Sequence, residues 1–344
     1  MDAFAIYRLP HASQCTLVGQ HGVPDGLKSL SSLKQDSSGF VIAPFSPDDC
    51  SPILLLRLDV VRQYTLDEVP AIDDLSYYLE GGDNFAQPSS RESYNSDFAR
   101  FHRTFSAFGY QKLVLARNAD VPHSGTHPVT LFKRACEHYP EACVTLFSAP
   151  QCGTWLMATP EVLLERGADD IWHTMALAGT MRYAEQLPPW SDKNIHEQDF
   201  VAQYIKACLE QFTDEITVTG PYTTRAGSLV HLRTDFNFTL SSDAGVGEVL
   251  DSLHPTPAVC GLPKDDALRF IINNETCNRS YYSGFSGPLN VDGTTAMYVS
   301  LRCMRILADR YRLYAGGGIL PQSVESQEWD ETSAKMQSML TLIQ

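Results

Sequence analysis

Apolar residues recur along this chain in short runs broken by turn-forming residues, and only three stretches carry the longer spacing of a helix. Gly39–Phe45, Ile53–Val60, Gln111–Arg117, Val144–Phe147, Thr154–Met157 and Val162–Leu164 read as strands. Met297–Ile306 followed by Tyr311–Ala315 reads as a β-meander, punctuated by Asp292-Gly293 and Ala308-Asp309-Arg310. The ranges 31–38 and 81–90 are small and polar and read as loops. Ser89-x-x-Glu92 has the form of a capping box. Tyr94, Phe98, Phe101, Phe105 and Phe108 follow at helical spacing, closed by Gly109. Ser191 and Asp192 cap a second helix with the stripe Val201, Tyr204, Ile205, Cys208, Leu209 and Phe212. A third helix runs from Glu325 to Leu342. Strands that dominate, interrupted by helices, predict an α+β fold.

Charge and composition narrow the partners. Lys plus Arg is 26 and Asp plus Glu 41, a formal net charge of −15. No basic stripe is present, which argues against nucleic acid. The longest apolar candidate, Ile53–Val61, is broken by Arg57 and Asp59 and falls short of the ~18 residues a membrane span needs. Met1-Asp2-Ala3-Phe4-Ala5 has no basic lead into an apolar stretch, so no signal peptide is expected. The nine cysteines are scattered without a Cys-x-x-Cys pair, which disfavours disulfides and zinc. The expectation is a reduced, cytoplasmic protein with no membrane partner. No P-loop or Rossmann glycine pattern occurs, and Gly284-Phe-Ser-Gly287 lacks the form of a nucleophile elbow.

A few residues stand out chemically, each with a plainer reading beside the functional one. Lys112 sits in an apolar run; buried there, its pKa should fall, which suits a general base, while an edge-strand lysine would simply point to water. Glu161 enters an apolar strand, either as a carboxyl held protonated to act as general acid or as a strand-end charge. Glu197 projects near the stripe of the second helix, as a metal carboxylate or as a charge favoured by the helix N-terminus. Its oxygen donor suits Mg²⁺ rather than zinc. Glu328, Glu331 and Lys335 share one face of the last helix, and Glu331–Lys335 is also an ordinary surface pair. Gly316-Gly317-Gly318 either opens backbone N–H groups to an anion or forms a turn. Tyr298, Ser300 and Arg302 alternate onto one face of the Met297–Ile306 strand, where Arg302 could fork a carboxylate or join a surface salt bridge.

Taken in order, these segments resemble the chorismate-utilising enzymes. The resemblance runs through Lys112-Leu-Val-Leu-Ala-Arg117, Thr159-Pro-Glu161, Leu177-Ala-Gly-Thr180 and Lys193-x-x-x-Glu197. It continues through Leu253-His-Pro-Thr-Pro-Ala-Val-Cys-Gly-Leu-Pro263, Glu275-x-x-x-Arg279-x-x-Tyr282 and Ser300-Leu-Arg302. It ends with Gly316-Gly-Gly-Ile319 and Glu325-x-x-Glu328-Trp-Asp-Glu331-x-x-x-Lys335. It covers residues 90–344. It implies one compact domain over 1–344, with 1–90 a variable portion of large, orthogonally packed sheets flanked by helices, and 90–344 the catalytic region. It further implies Mg²⁺ and chorismate. Carried over by position, Lys112 activates water and Glu161 protonates the departing C4 hydroxyl. Glu197 and Glu331 hold Mg²⁺, with Glu328 nearby through water. Tyr282, Arg302, Gly316, Gly318 and Lys335 grip carboxylates, and Thr180 and His231 line the ring pocket. Ala258, where the anthranilate, aminodeoxychorismate and salicylate enzymes typically carry threonine, makes the segment most similar to the isochorismate synthases. The expected reaction is therefore isomerisation of chorismate to isochorismate in a monomer without an amidotransferase subunit, supplying menaquinone or siderophore synthesis. The rivals are an ammonia-using synthase and an inactive chorismate-binding protein. Asn194, Tyr183, Cys260 and Gly317 depart from the family's usual residues.

Overall fold

The computed structural model describes residues 1–69, 77–79, 87–167, 169–226, 229–240 and 245–344. Its frame is two antiparallel sheets of nine strands each. In spatial order the first runs Gly261–Leu262, Lys112–Pro122, Arg310–Ile319, Cys303–Ile306, Gly153–Thr159, Cys143–Ala149, Ala3–Arg8, Gln14–Gln20 and Val60–Thr65. The second runs Ile216–Ala226, Leu229–Phe238, Trp172–Arg182, Val162–Arg166, Thr295–Val299, Phe285–Leu289, Gly39–Ala43, Ile53–Leu56 and Asp25–Leu27. The strands before residue 66 form three consecutive strands at one end of each sheet.

The central strands of each sheet are buried on both faces, while edge strands such as Ile216–Ala226 and Val60–Thr65 are largely exposed, and strand alternation shows what covers each face. In Ala3–Arg8, Ala3, Ala5 and Tyr7 pack with Phe40, Ile42 and Leu54 of the other sheet, forming the core between the sheets. Phe4 and Ile6 point the other way, toward two helices, α2 (Pro128–His138) and α6 (Glu325–Ile343). The outer face of the second sheet is covered by α3 (Asp192–Leu209) and α4 (Val246–Leu253). Two more helices, α1 (Arg91–Phe108) and α5 (Lys264–Asn274), pack on Leu113, Leu115 and Ile319 at the end of the first sheet. The result is the expected α+β architecture of large sheets flanked by helices. Each fully buried Val, Leu, Ile or Phe contributes roughly 1.5–3 kcal/mol, so a run such as Ala3–Arg8 is stable only with both faces covered.

The three sequence-predicted helices form, with one change at an end. The N-cap of α1 is Ser90, whose hydroxyl accepts from Ser93 N at 3.1 Å, not Ser89. Ser89 instead exchanges hydrogen bonds with Asn118 of the neighbouring strand. Gly109 closes the helix at φ 72°, a left-handed position that favours glycine. Ser191 caps α3 as expected. Of the predicted 81–90 loop, 81–86 lie outside the described residues, as does the Phe108 side chain.

The Met297–Ile306 reading is corrected. The chain leaves the second sheet after Val299 and joins the first at Cys303, so Ser300-Leu301-Arg302 is a crossing between sheets rather than mid-strand. Arg302 takes φ 45°, which ends the predicted alternation with Tyr298 and Ser300. Gly316–Gly318 is also not a turn: it lies within Arg310–Ile319, paired with Val114–Ala116.

Candidate active site

Where the two sheets part, a cleft of about 670 Å³, open to solvent, lies between Arg310–Ile319, Trp172–Arg182, Leu229–Phe238 and helices α3 and α6. It is walled by both sheets, so residues far apart in sequence meet in it.

Lys112 is fully buried, and its Nζ lies 3.1 Å from Glu197 Oε1 of α3. Of the two readings of Lys112, the edge-strand lysine pointing to water is corrected by its complete burial, and the neighbour it meets there is a carboxylate. Burial would raise the Glu197 carboxyl, but Lys112, Lys193 and Lys335 outweigh it and hold the group below the usual carboxylate range. Glu197 lines the cleft, and Lys112 reaches the cleft through it. Gly318 leaves room for the pair: a Cβ there would fall 2.2 Å from Glu197 Oε1 and 2.9 Å from Lys112 Cε.

Glu161, 3% exposed, lines the cleft at the start of Val162–Arg166. Burial pushes its pKa up to about 8, against the pull of Lys112, Lys335 and Arg302. At neutral pH it holds a proton. The cleft therefore contains a protonated acid, Glu161, and an ionised carboxylate, Glu197, two carboxyl groups whose surroundings drive them to opposite states.

The cationic wall is oriented by His231. Its Nδ1 lies 3.1 Å from Gly179 O and 3.3 Å from Thr180 Oγ1, while Nε2 is 3.0 Å from Arg302 Nη2. The Gly179 carbonyl needs a proton on Nδ1, which leaves Nε2 to accept from Arg302. Burial, reinforced by Arg302 and Lys335, pushes the imidazole pKa well below its usual value, consistent with that neutral tautomer. Arg302 is thereby aimed into the cleft from its crossing between the sheets. Lys335 Nζ donates to Gly316 O at 2.9 Å and pairs with Glu331 at 2.7 Å. Tyr282 and Ala258 complete the lining, and a Cβ on Gly316 would come 2.8 Å from the Tyr282 hydroxyl.

Glu328 and Glu331 stand beside the cleft rather than on its lining. Glu328 is 1% exposed and pairs with Lys193 at 2.5 Å, while its Oε2 is buried without a hydrogen-bond partner. A Cβ on Gly317 would lie 3.1 Å from that Oε2 and 4.0 Å from Glu331 Oε1. With Glu197, these are oxygen-only donors around one glycine strand, and the unpartnered Oε2 suits a hard divalent cation. Among the described residues, no three acidic, histidine or cysteine groups converge closely enough to chelate a metal ion as they stand, since each glutamate is turned to a lysine.

Two contributors were not singled out as site residues from the sequence. Lys193 neutralises Glu328; its spacing before Glu197 was visible, but its partner on a distant helix was not. Tyr314 stacks on Tyr282 at 5.5 Å and carries the cleft lining into the inter-sheet core. A wider groove of about 2250 Å³ adjoins the cleft, sharing Pro160, Leu177 and Arg302 with it.

Comparison with known proteins identifies the family and the fold. The family profile described as chorismate binding enzyme matches residues 82–344. The isochorismate synthase MenF of Escherichia coli (strain K12) is 32% identical over 252 residues, 70% of this chain and 58% of that protein. The isochorismate synthase EntC of the same strain is 31% identical over 200 residues, 55% of this chain and 51% of that protein. The chain thus spans little more than half the length of these curated relatives. The fold matches that of the menaquinone-specific isochorismate synthase MenF from Escherichia coli with a TM-score of 0.79 at 24% identity, covering 99% of this chain and 89% of that one.

Proposed function

Because this chain belongs to the chorismate-binding enzyme family, we propose that it is an isochorismate synthase that isomerises chorismate. The observation that carries the reading is Glu161, a buried acid with its pKa near 8, facing the same cleft as the Lys112–Glu197 pair. Lys112, as the free amine, accepts a proton from water as the water oxygen bonds to ring carbon C2. The ring double bonds shift, the C4–oxygen bond breaks, and the leaving hydroxyl takes the proton of Glu161 and departs as water. One water enters and one leaves, so substrate and product are isomers. Positioned acid–base groups of this kind are worth about 10²–10⁴-fold each.

Arg302 and Lys335 are cations suited to the substrate carboxylates, with Tyr282, Gly316 and Gly318 leaving the room they need. Thr180, His231 and Ala258 border the ring. Glu197, Glu328 and Glu331 would hold Mg²⁺, which when bound offsets the charge of the ring carboxylate. Menaquinone supply is the destination we favour, with siderophore supply as the alternative. A monomer without an amidotransferase, working in the cytoplasm, completes the reading.

The test is product identification by chromatography after incubating the purified chain with chorismate and Mg²⁺, with and without ammonium. Isochorismate alone is the expected product. An amino product would assign the chain to the ammonia-using branch, and calorimetric binding without turnover would make it an inactive binder. Lys112→Ala should lose about 10²–10⁴-fold in kcat; near-normal turnover would remove Lys112 from the chemistry.

A further inference from the structure

The second sheet has an open edge beside the cleft. Trp172–Arg182 pairs with Leu229–Phe238 along its length, but with Val162–Arg166 only at Trp172 and His173. Beyond that point its outward backbone groups need other partners, because a buried unpaired N–H or C=O is costly. Gln198 of α3, 2% exposed, supplies them. Its Oε1 accepts from Ala178 N at 2.8 Å, and its Nε2 donates to Ala176 O at 3.1 Å and to Thr234 Oγ1 at 3.1 Å. Bonding the carbonyl of one residue and the N–H two residues on is what a single residue of a parallel neighbouring strand does. The amide of Gln198 thus stands in for a missing strand at one position. The helix is seated closely there: Gly179, at φ 70° in a bulge of the strand, would bring a Cβ within 3.1 Å of Asn194 O.

Gln198 is the next residue after Glu197, and the backbone it holds carries Leu177, Ala178, Gly179 and Thr180 of the cleft wall. We propose that Gln198 is a positioning residue, whose amide locks α3 to the open sheet edge and so sets both the placement of Glu197 against Lys112 and the line of the Leu177–Thr180 wall. This rests on the cleft being the isochorismate-forming site. The residue touches no reacting atom; it acts through Glu197 and through the wall. Displacements of about 1 Å from remote changes can cost on the order of 10²-fold in rate.

The experiment pairs kinetics with crystallography on the intact chain. Gln198→Met keeps the length and removes all three bonds; kcat/KM should fall tenfold to a hundredfold in protein whose circular dichroism is unchanged, and its crystal structure should show Glu197 moved away from Lys112. Gln198→Glu keeps the acceptor and loses the donor, and should fall between wild type and Gln198→Met. If Gln198→Met does not fold, Thr234→Val, which removes one of the three bonds, should lower kcat/KM two- to threefold. A purely structural role predicts lowered Tm with kcat/KM and the Glu197–Lys112 distance unchanged in the folded variants, and that result overturns the proposal. A wild type that makes no isochorismate, with Glu197 still displaced in Gln198→Met, counts against the reaction and leaves the positioning role standing.

Discussion

Glu161 shows how one side chain can be recognised in the sequence while its state depends on the fold. Its place before an apolar strand marked it as a possible acid, but only burial between two sheets raises its pKa to about 8. A general acid works while protonated, so kcat should be level at neutral pH and decline as pH rises through about 8. Glu161→Gln keeps the size, removes the transferable proton, and should abolish both most of the rate and that alkaline limb; a pH–rate series on both proteins checks this. Lys112 was equally visible, but not its pairing. Nothing local to residue 112 or 197 announces their 3.1 Å contact, which arises because α3 is laid across the second sheet while Lys112 belongs to the first. The surface reading of Glu331–Lys335 also gives way, since Lys335 bonds Gly316 O and lines the cleft.

At the scale of elements, legibility followed the strength of local signals. Helices α1, α3 and α6 have long amphipathic stripes, and two have a serine N-cap, so they could be read directly. The others offered less. α4 has eight residues and is capped by Gly245, which has no side chain to mark the start, and α5 begins after Pro263 and buries only Ala267 and Ile271. α2 is capped by His127, an unusual N-cap. The sheet crossing at Ser300–Arg302 was hidden for a different reason: alternation continues in the sequence on both sides, and only three residues, the last of them left-handed, separate two strands of different sheets. The Gly316–Gly318 strand is constrained by space rather than by dihedral freedom. A Cβ on Gly318 meets the tip of Glu197, which can swing aside, so Gly318→Ala should fold with Tm within a few degrees of wild type. The carboxylate it displaces is the one facing Lys112, so kcat/KM should drop at least tenfold; thermal melts beside initial rates decide between loss of fold and loss of geometry.

For the whole molecule, the net charge of −15 describes the surface better than the site. In and around the cleft, Lys112, Lys193, Lys335 and Arg302 face Glu197, Glu328 and Glu331, while Glu161 is neutralised by its own proton. An acidic chain can thus receive an anion without a basic surface. Each of those three glutamates already has a lysine partner, which would keep its charge balanced in the fold without a metal. A chelator should therefore abolish turnover while leaving Tm unchanged, with activity restored by Mg²⁺; a large fall in Tm would mean that the cation is structural. The α+β class and most of the site were readable because the motifs are local, whereas the cleft exists only through the packing of one sheet on the other. That packing has a mechanical side. Arg302 rides on a three-residue bridge slung between the sheets, while Glu161 is fixed to one of them and Lys112 to the other. Any shear of sheet over sheet therefore changes the spacing of Glu161, Lys112 and the Arg302 guanidinium together, and the inter-sheet core acts as the gauge that holds the cleft to its dimensions.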